Sequence, residues 1–255
     1  MSFAYRLGVY DQLNFAYGKF YQTPDPDFLF FSKNFEFENA DHYIFNYQYI
    51  GTDRTFRIEA YYKNYNNLAK GSVMTYPYFN LPDVPFGSDG KGYAKGIDIF
   101  WRDKETFEYV DYWISYSYLD TKREFKNYPT LTSPPFSTPH TFSIVAKRWI
   151  QPITTLVGLT YTFATGRPYF NPNNQEFLGD RSKNFQNLSL NASYITNVLG
   201  NFTVIFFSID NILGYHNVYG YNYSTDGTVS APILPAAHRS FFIGMFISLG
   251  ETNPY

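Results

Sequence analysis

Val110-Asp111-Tyr112-Trp113-Ile114-Ser115-Tyr116-Ser117-Tyr118 sets Val110, Tyr112, Ile114, Tyr116 and Tyr118 against Asp111, Trp113, Ser115 and Ser117. Successive side chains of an extended chain point to opposite faces, so this period of two makes a strand with one apolar and one polar face. The same period surrounds it. Phe3, Tyr5, Leu7 and Val9 alternate with Ala4, Arg6 and Gly8, and Phe56, Ile58, Ala60 and Tyr62 with Arg57, Glu59, Tyr61 and Lys63. Leu188, Leu190, Ala192 and Tyr194 alternate with Ser189, Asn191 and Ser193. No segment carries a convincing helical period.

Applied along the chain, the alternation predicts an all-β protein of about eleven strands. They run over Phe3–Val9, Leu13–Tyr21, His42–Ile50, Arg54–Tyr65, Tyr93–Arg102, Phe107–Leu119, His140–Trp149, Thr154–Ala164, Gln186–Ile195, Phe202–Ile209 and Arg239–Leu249. Their lengths suit a tilted strand crossing a bilayer, which takes roughly 9 to 11 residues. Asp11-Gln12, Gly51-Thr52-Asp53, Asp103 to Thr106, Ile150 to Ile153 and Thr196 to Asn201 are short turns. Between them lie long segments, Gln22 to Asp41, Asn66 to Gly92, Asp120 to Pro139, Thr165 to Phe185 and Asp210 to His238. Short and long connections alternate without exception. That is the pattern of an antiparallel transmembrane β-barrel segment with short periplasmic turns and long extracellular loops. Most prolines, among them Pro24, Pro77, Pro82, Pro85, Pro134, Pro168 and Pro232, fall in the long loops, as expected of a residue that cannot donate to a sheet ladder.

Composition agrees. Aromatic residues make up 22% of the 255 residues and charged residues only 16%, against about 25% in ordinary soluble domains. No apolar run reaches the roughly 20 residues of a membrane helix. Mid-strand charges at Arg6, Arg57, Glu59, Asp98, Asp111 and Lys147 share the phase of the small polar residues and are expected to face the lumen, paired across strands or with a plug. Lys95, Glu108 and Arg148 fall on the apolar phase, near predicted strand ends where the side chain reaches water. Phe202 to Ile209 and Phe241 to Leu249 are apolar on both faces, which requires an apolar lumen lining or a plug to pack against.

A net charge of −2 gives no strong field for nucleic acid. With no cysteine there is no disulfide, thiolate zinc site or cysteine nucleophile. His42, His140, His216 and His238 lack metal-ligand spacing, and no phosphate loop, cofactor motif or nucleophile elbow occurs. His238 and Ser240 share one phase, but no orienting partner is evident, so a hydrolase is set aside. The last strand runs inward, and counting back places Met1 outside with an odd strand number. Single-chain bacterial barrels have even numbers. With no signal peptide evident after Met1, the sequence reads as a fragment, a truncated reading frame or one segment of a split protein.

Several segments look familiar. Thr165-Gly166-Arg167-Pro168-Tyr169-Phe170-Asn171-Pro172 resembles a loop late in the barrel of TonB-dependent receptors. Asn211-Ile212-Leu213-Gly214 with Asn217-Val218-Tyr219-Gly220-Tyr221 resembles their penultimate strand and final loop, and Arg239 to Gly244 their closing strand. Leu13 to Pro24, and Tyr61-Tyr62-Lys63 before a long loop, resemble mid-barrel strands. The resemblance implies that residues 1–255 are the C-terminal part of a plugged 22-stranded barrel. It further implies an outer-membrane importer of a bulky nutrient such as an iron–siderophore, a cobalamin-like cofactor or an oligosaccharide. Its partners are then outer-membrane lipid, the missing N-terminal strands and plug, and TonB through the missing N-terminal region. It performs no enzymatic chemistry. Arg167, Tyr169 and Asn171, at the root of a long loop, are the candidate ligand residues, through bidentate and stacking contacts. The alternative reading of the same residues is that Gly166 and Pro168 simply shape the loop. A passive porin or adhesin-like barrel, and a soluble carbohydrate-binding sandwich, are the competing functions.

Overall fold

The computed structural model describes residues 1–31, 35–71 and 87–249. Its centre is one eleven-stranded antiparallel sheet, and no helix among the described residues is long and apolar enough to cross a membrane. In chain order the sheet strands are β1 (Ser2–Arg6), β2 (Asp11–Gln22), β3 (Glu38–Ile50), β4 (Arg54–Lys70), β5 (Gly87–Asp103), β6 (Val110–Glu124), β7 (His140–Ile150) and β8 (Thr155–Ala164). The loop hairpin β9 (Pro168–Tyr169) and β10 (Asp180–Arg181) intervenes before β11 (Phe185–Val198) and β12 (Asn201–Asp210). A second loop hairpin, β13 (Gly220–Tyr223) and β14 (Ser230–Ile233), precedes β15 (Ser240–Ile247). Every sheet strand pairs with its neighbour in sequence once the two hairpins are passed over, and the barrel is not closed: β1 pairs only with β2, and β15 only with β12.

The register makes the two faces continuous. One hydrogen-bonded row runs Arg6, Gln12, Gln48, Arg57, Phe100, Ser115, Ser143, Thr162, Asn187, polar at every position but one. The adjacent row, on the opposite face, runs Leu13, Tyr47, Ile58, Ile99, Tyr116, Phe142, Phe163, with no charge. On β2 Leu13 lies near the short-turn end of the apolar belt, yet six strands later Phe163 lies at its long-loop end. That stagger is what a tilted barrel strand requires. The belt also has a visible upper margin. Tyr17, Tyr43 and Tyr62 line up beside Lys95 and Asp120, which form an ion pair of 3.3 Å. The next row on the same face is Lys19, Asp41, Asn64, Tyr93 and Lys122. From the Asp11–Tyr49 pair to the Tyr17–Tyr43 pair is about 20 Å of strand at about 3.4 Å per residue, close to the apolar band of an outer-membrane barrel. The tyrosines of the margin touch, with ring centroids 5.0 Å apart for Tyr17–Tyr43 and 6.3 Å for Tyr43–Tyr62.

Among the described residues no compact core competes with this reading. Phe45 is 50% exposed and Ile97 42%, in mid-strand. Among the described residues the buried apolar side chains Phe28, Leu68, Ala69, Tyr128, Leu178 and Val218 lie outside the belt, where loops fold over the long-loop end, and the remaining one, Ala94, lies on the polar phase of β5 between Lys63 and Thr121. The lumen-phase charges divide. Asp111 takes a two-point interaction from Arg102, at 2.9 and 2.5 Å. Asp98 accepts from Ser117, and Glu59 from Asn46 at 3.5 Å. Arg57 forms no ion pair among the described residues and borders a cavity of about 370 Å³ with Glu59 and Asp98.

Boundaries differ from the sequence reading where side chains override alternation. β1 ends at Arg6, and residues 7–10 form the turn, with Leu7 N–H on the Asp11 carbonyl at 3.0 Å. Asp11 begins β2 rather than the turn, paired with Tyr49 of β3, and its carboxylate accepts the Tyr47 hydroxyl at 2.5 Å. Residues 107–109 belong to a turn, not to β6. There Asp103 accepts the backbone N–H groups of Glu105 and Thr106, each at 2.8 Å, and Arg54 Nε at 3.1 Å. The closing strand is shorter than expected, Ser240–Ile247. Conversely β4, β5 and β6 run past the expected ends into the long loops. The first long loop holds a six-residue helix, α1 (Pro26–Phe31), begun by a proline that fits the first helical turn. Six residues are too few to display a 3.6 period. Pro77, Pro82, Pro85 and the tail Glu251–Tyr255 lie outside the described residues.

Candidate functional site

The long loops close over the polar face and leave a cavity of about 420 Å³ at its rim. Thr141, Thr162 and Phe185 come from β7, β8 and β11, and share the phase of Ser143 and Asn187. Tyr219, from the final loop, stacks on Phe185 with centroids 6.2 Å apart and planes 20° off parallel. The Arg167 guanidinium lies over Tyr219 at 5.9 Å. Lys183 also lines the cavity. Neither cation forms an ion pair among the described residues, so the cavity presents two uncompensated positive charges beside a flat aromatic wall.

Backbone contacts fix Arg167 there. Gly166 packs so closely on the neighbouring segment that a Cβ would stand 1.8 Å from the Ser182 carbonyl oxygen, which only glycine allows. Its N–H donates to Asn184 Oδ1 at 3.1 Å, and the Arg167 N–H donates to Ser182 Oγ at 3.0 Å. Of the other two sequence candidates, Tyr169 packs on Tyr221 at 5.1 Å within the loop hairpins, where burial pushes its hydroxyl up to about 12. Asn171 donates to Asp180 at 2.5 Å and accepts the Asn173 N–H at 3.0 Å, a local turn bond. Arg167 therefore borders the cavity, whereas Tyr169 and Asn171 are engaged inside the loop. Lys183 and Tyr219 are cavity residues that were not singled out from sequence. Lys183, Phe185 and Asn187 share one phase, and running the alternation backward from Asn187 would have placed Lys183 on the polar face.

The final loop is anchored by two asparagines. Asn211, 7% exposed, donates through Nδ2 to the Tyr215 and His238 carbonyls at 2.9 and 2.6 Å and accepts the Tyr215 N–H at 3.0 Å. Asn217 exchanges two bonds with the backbone of Gln186, at 3.0 and 2.9 Å. Ser240 gives its hydroxyl to Asp210 at 3.1 Å, while the His238 ring stacks on His216 at 4.1 Å. The two therefore do not form a nucleophile–base pair.

Asp226, at the turn of the β13–β14 hairpin, accepts the Ser224 hydroxyl and the Thr228 N–H and hydroxyl, and these bonds hold its carboxyl down at about 2. A carboxyl held below its unfolded value of 3.8 stabilises the fold above that value, and the contribution is lost as pH falls through about 2. Hydrogen-exchange protection of the Thr228 and Val229 amides is expected to drop between about pH 4 and pH 2, and Asp226→Asn to remove that dependence.

A family model described as TonB dependent receptor-like, beta-barrel, matches residues 2–212. The chain belongs to the TonB-dependent receptor β-barrel family. A search among curated proteins by sequence returns no match. Solved structures resemble it in fold. The outer-membrane transporter YddB from Escherichia coli aligns over 92% of this chain and 38% of its own, at 14% identity and TM-score 0.70. The unliganded ferric citrate transporter FecA covers 97% and 37%, at 18% identity and TM-score 0.71. The ferric yersiniabactin uptake receptor FyuA from Yersinia pestis covers 96% and 35%, at 13% identity and TM-score 0.66. The chain thus spans little more than a third of the length of these TonB-dependent receptors. Its polar face is the lumen side and its apolar belt the lipid side of a partial barrel.

Proposed function

We propose that this chain is the C-terminal part of the wall of a TonB-dependent importer in a Gram-negative outer membrane, and that it captures an anionic nutrient chelate at the Arg167–Lys183 cavity. The observation that carries the reading is a pair of cations, without an ion pair among the described residues, beside Tyr219 and Phe185 on the lumen side, at the mouth formed by the long loops. A planar guanidinium matches carboxylate or catecholate oxygens at two points, and a stacked aromatic wall suits a flat ligand. Among the nutrients open to such a receptor, a charged iron chelate fits this chemistry better than a neutral oligosaccharide. Tyr169 and Asn171 contribute by holding the loop that carries Arg167. FecA and FyuA, by their names, handle ferric citrate and ferric yersiniabactin, which supports the iron-chelate class.

In this mechanism the wall performs no covalent chemistry. Long loops collect the ligand, the cations hold it, and TonB-driven movement of a plug opens the path. Arg57, without an ion pair among the described residues, faces the lumen with Glu59 and Asp98 where such a plug would pack. Phe206 and Phe242, 6.0 Å apart on the lumen phase of β12 and β15, offer it an apolar seat. The test uses the complete receptor with ferric citrate and a ferric tris-catecholate as probes. Arg167→Ala with Lys183→Ala is expected to weaken binding of the preferred chelate by at least about tenfold, about 1.4 kcal/mol. Unchanged affinity for both probes, or uptake that persists in cells lacking TonB, contradicts the proposal.

A further inference from the structure

A second lumen-side cavity, of about 330 Å³, lies at the rim across β2, β3 and β4. Its lining includes Phe20, Glu38, His42, Tyr65 and Arg123. Phe20 packs against the His42 ring at 4.6 Å. Arg123 reaches this place from β6 because the intervening β5 position is Gly92, where a Cβ would stand 2.9 Å from Arg123 Cγ and 2.7 Å from the Lys122 carbonyl oxygen. The guanidinium then lies over Tyr65 at 4.5 Å, with Phe136 at 5.3 Å and Phe125 at 5.6 Å.

Rings pack around this guanidinium, so an oxyanion would meet it along the N–H edge that they leave uncovered. Its Nε is buried without a hydrogen-bond partner, and it forms no ion pair among the described residues. A buried charged donor left open is costly unless a ligand or solvent completes it. Glu38 lines the same cavity. It spends Oε1 on the Ala69 N–H at 3.0 Å and forms no ion pair among the described residues. One cation and one anion thus face the same space without neutralising each other, beside the apolar surfaces of Phe20, Tyr65 and Leu68. A simple anion would meet Glu38, and a simple cation would meet Arg123. The volume suits a small organic molecule.

We infer that this cavity binds a zwitterion of the α-amino acid class, with its carboxylate on the Arg123 edge, its ammonium toward Glu38 and an apolar side chain against Phe20 and Tyr65. The site is separate from the Arg167–Lys183 cavity and does not depend on the chelate reading.

The test is calorimetric titration of the receptor, purified from outer membranes in detergent, with L-phenylalanine and its two single-charge relatives, phenethylamine and 3-phenylpropionate. L-Phenylalanine is expected to bind at least tenfold more tightly than either relative. Arg123→Gln is expected to abolish the advantage over phenethylamine, and Glu38→Gln the advantage over 3-phenylpropionate. Glutamine at 38 keeps an oxygen for the Ala69 N–H, so that variant retains its local fold, and the three-ligand comparison on unvaried protein decides the matter even if Arg123→Gln does not assemble. Absence of L-phenylalanine binding, or equal binding of all three compounds, overturns the proposal. Ferric chelate binding by both variants is expected to be unchanged, so the two sites fail separately.

Discussion

Lysine at position 144 is expected to prevent assembly of the receptor in the outer membrane, and lysine at position 143 is not. Ile144 stands between Ile114 and Tyr161 in the middle of the lipid-side belt, with Phe142 and Ala146 above and below it on the same face. A lysine there has no strand end within reach and meets the hydrocarbon midplane, at a cost of about 2–4 kcal/mol. Ser143, one residue earlier, stands between Ser115 and Thr162 on the lumen side, where an ammonium group keeps its water. The readout is the fraction of receptor that reaches the outer membrane in a heat-modifiable form, followed by the urea midpoint of what does. Loss at 144 with near-normal yield at 143 is the expected result. Equal tolerance at both positions, or a reversed order, would mean that lipid does not wet the face assigned to it.

This pair of neighbours also shows why the sheet was legible from sequence. Every strand of the wall meets two solvents, and the selection they impose repeats every second residue, so β6 or β11 can be read from a single line of letters. The alternation fails where one side chain outweighs its face. Leu7 and Val9 continue the phase of Phe3 and Tyr5, yet they lie in a turn, because Arg6 already pairs with Gln12 and Asp11 is held in the ladder with β3, its carboxylate on Tyr47. The partner is 36 residues away and leaves no local mark. The strand extensions were missed for a related reason. Beyond the lipid belt both faces meet water, so the contrast between phases fades while the hydrogen-bonded ladder continues. Arg123 sits in such an extension, on the same phase as Ser115, Ser117 and Thr121, and a loop assignment beginning at Asp120 hid it.

The loop site was legible in its motif but not in its purpose. Gly166, Arg167, Tyr169 and Asn171 form a recognisable string, and the structure divides them between a close backbone approach, a cavity wall and turn bonds. Adjacent positions in a loop need not converge, because no period governs where their side chains point. Lys183 reaches the same cavity from outside any recognisable string, and Tyr219 reaches it from a different string, that of the final loop.

Asn211→Ala is expected to release the final long loop while leaving the strands on either side in place. The Asn211 amide ties both feet of that loop, through Tyr215 on the outgoing side and the His238 carbonyl on the return. Alanine leaves two carbonyls and one N–H without this partner in a partly buried place, each worth up to about 1–3 kcal/mol before water enters. A net local loss of about 2–4 kcal/mol follows, because the loosened loop recovers part of that by hydration. The backbone adds a separate requirement. Asn211 has φ +52°, a left-handed conformation that asparagine tolerates better than alanine. Asn211→Gly separates the two effects, since glycine accepts the conformation but cannot form the bonds. If the hydrogen bonds dominate, hydrogen exchange in residues 212–238 rises nearly as much in the glycine variant as in the alanine variant, and the belt portions of β12 and β15 stay protected. If protection returns in the glycine variant, the asparagine serves the backbone alone. Aspartate offers acceptors but no donor for the two carbonyls, and serine has no second donor. Asparagine is thus the side chain that meets the donor, acceptor and left-handed backbone requirements of this corner together.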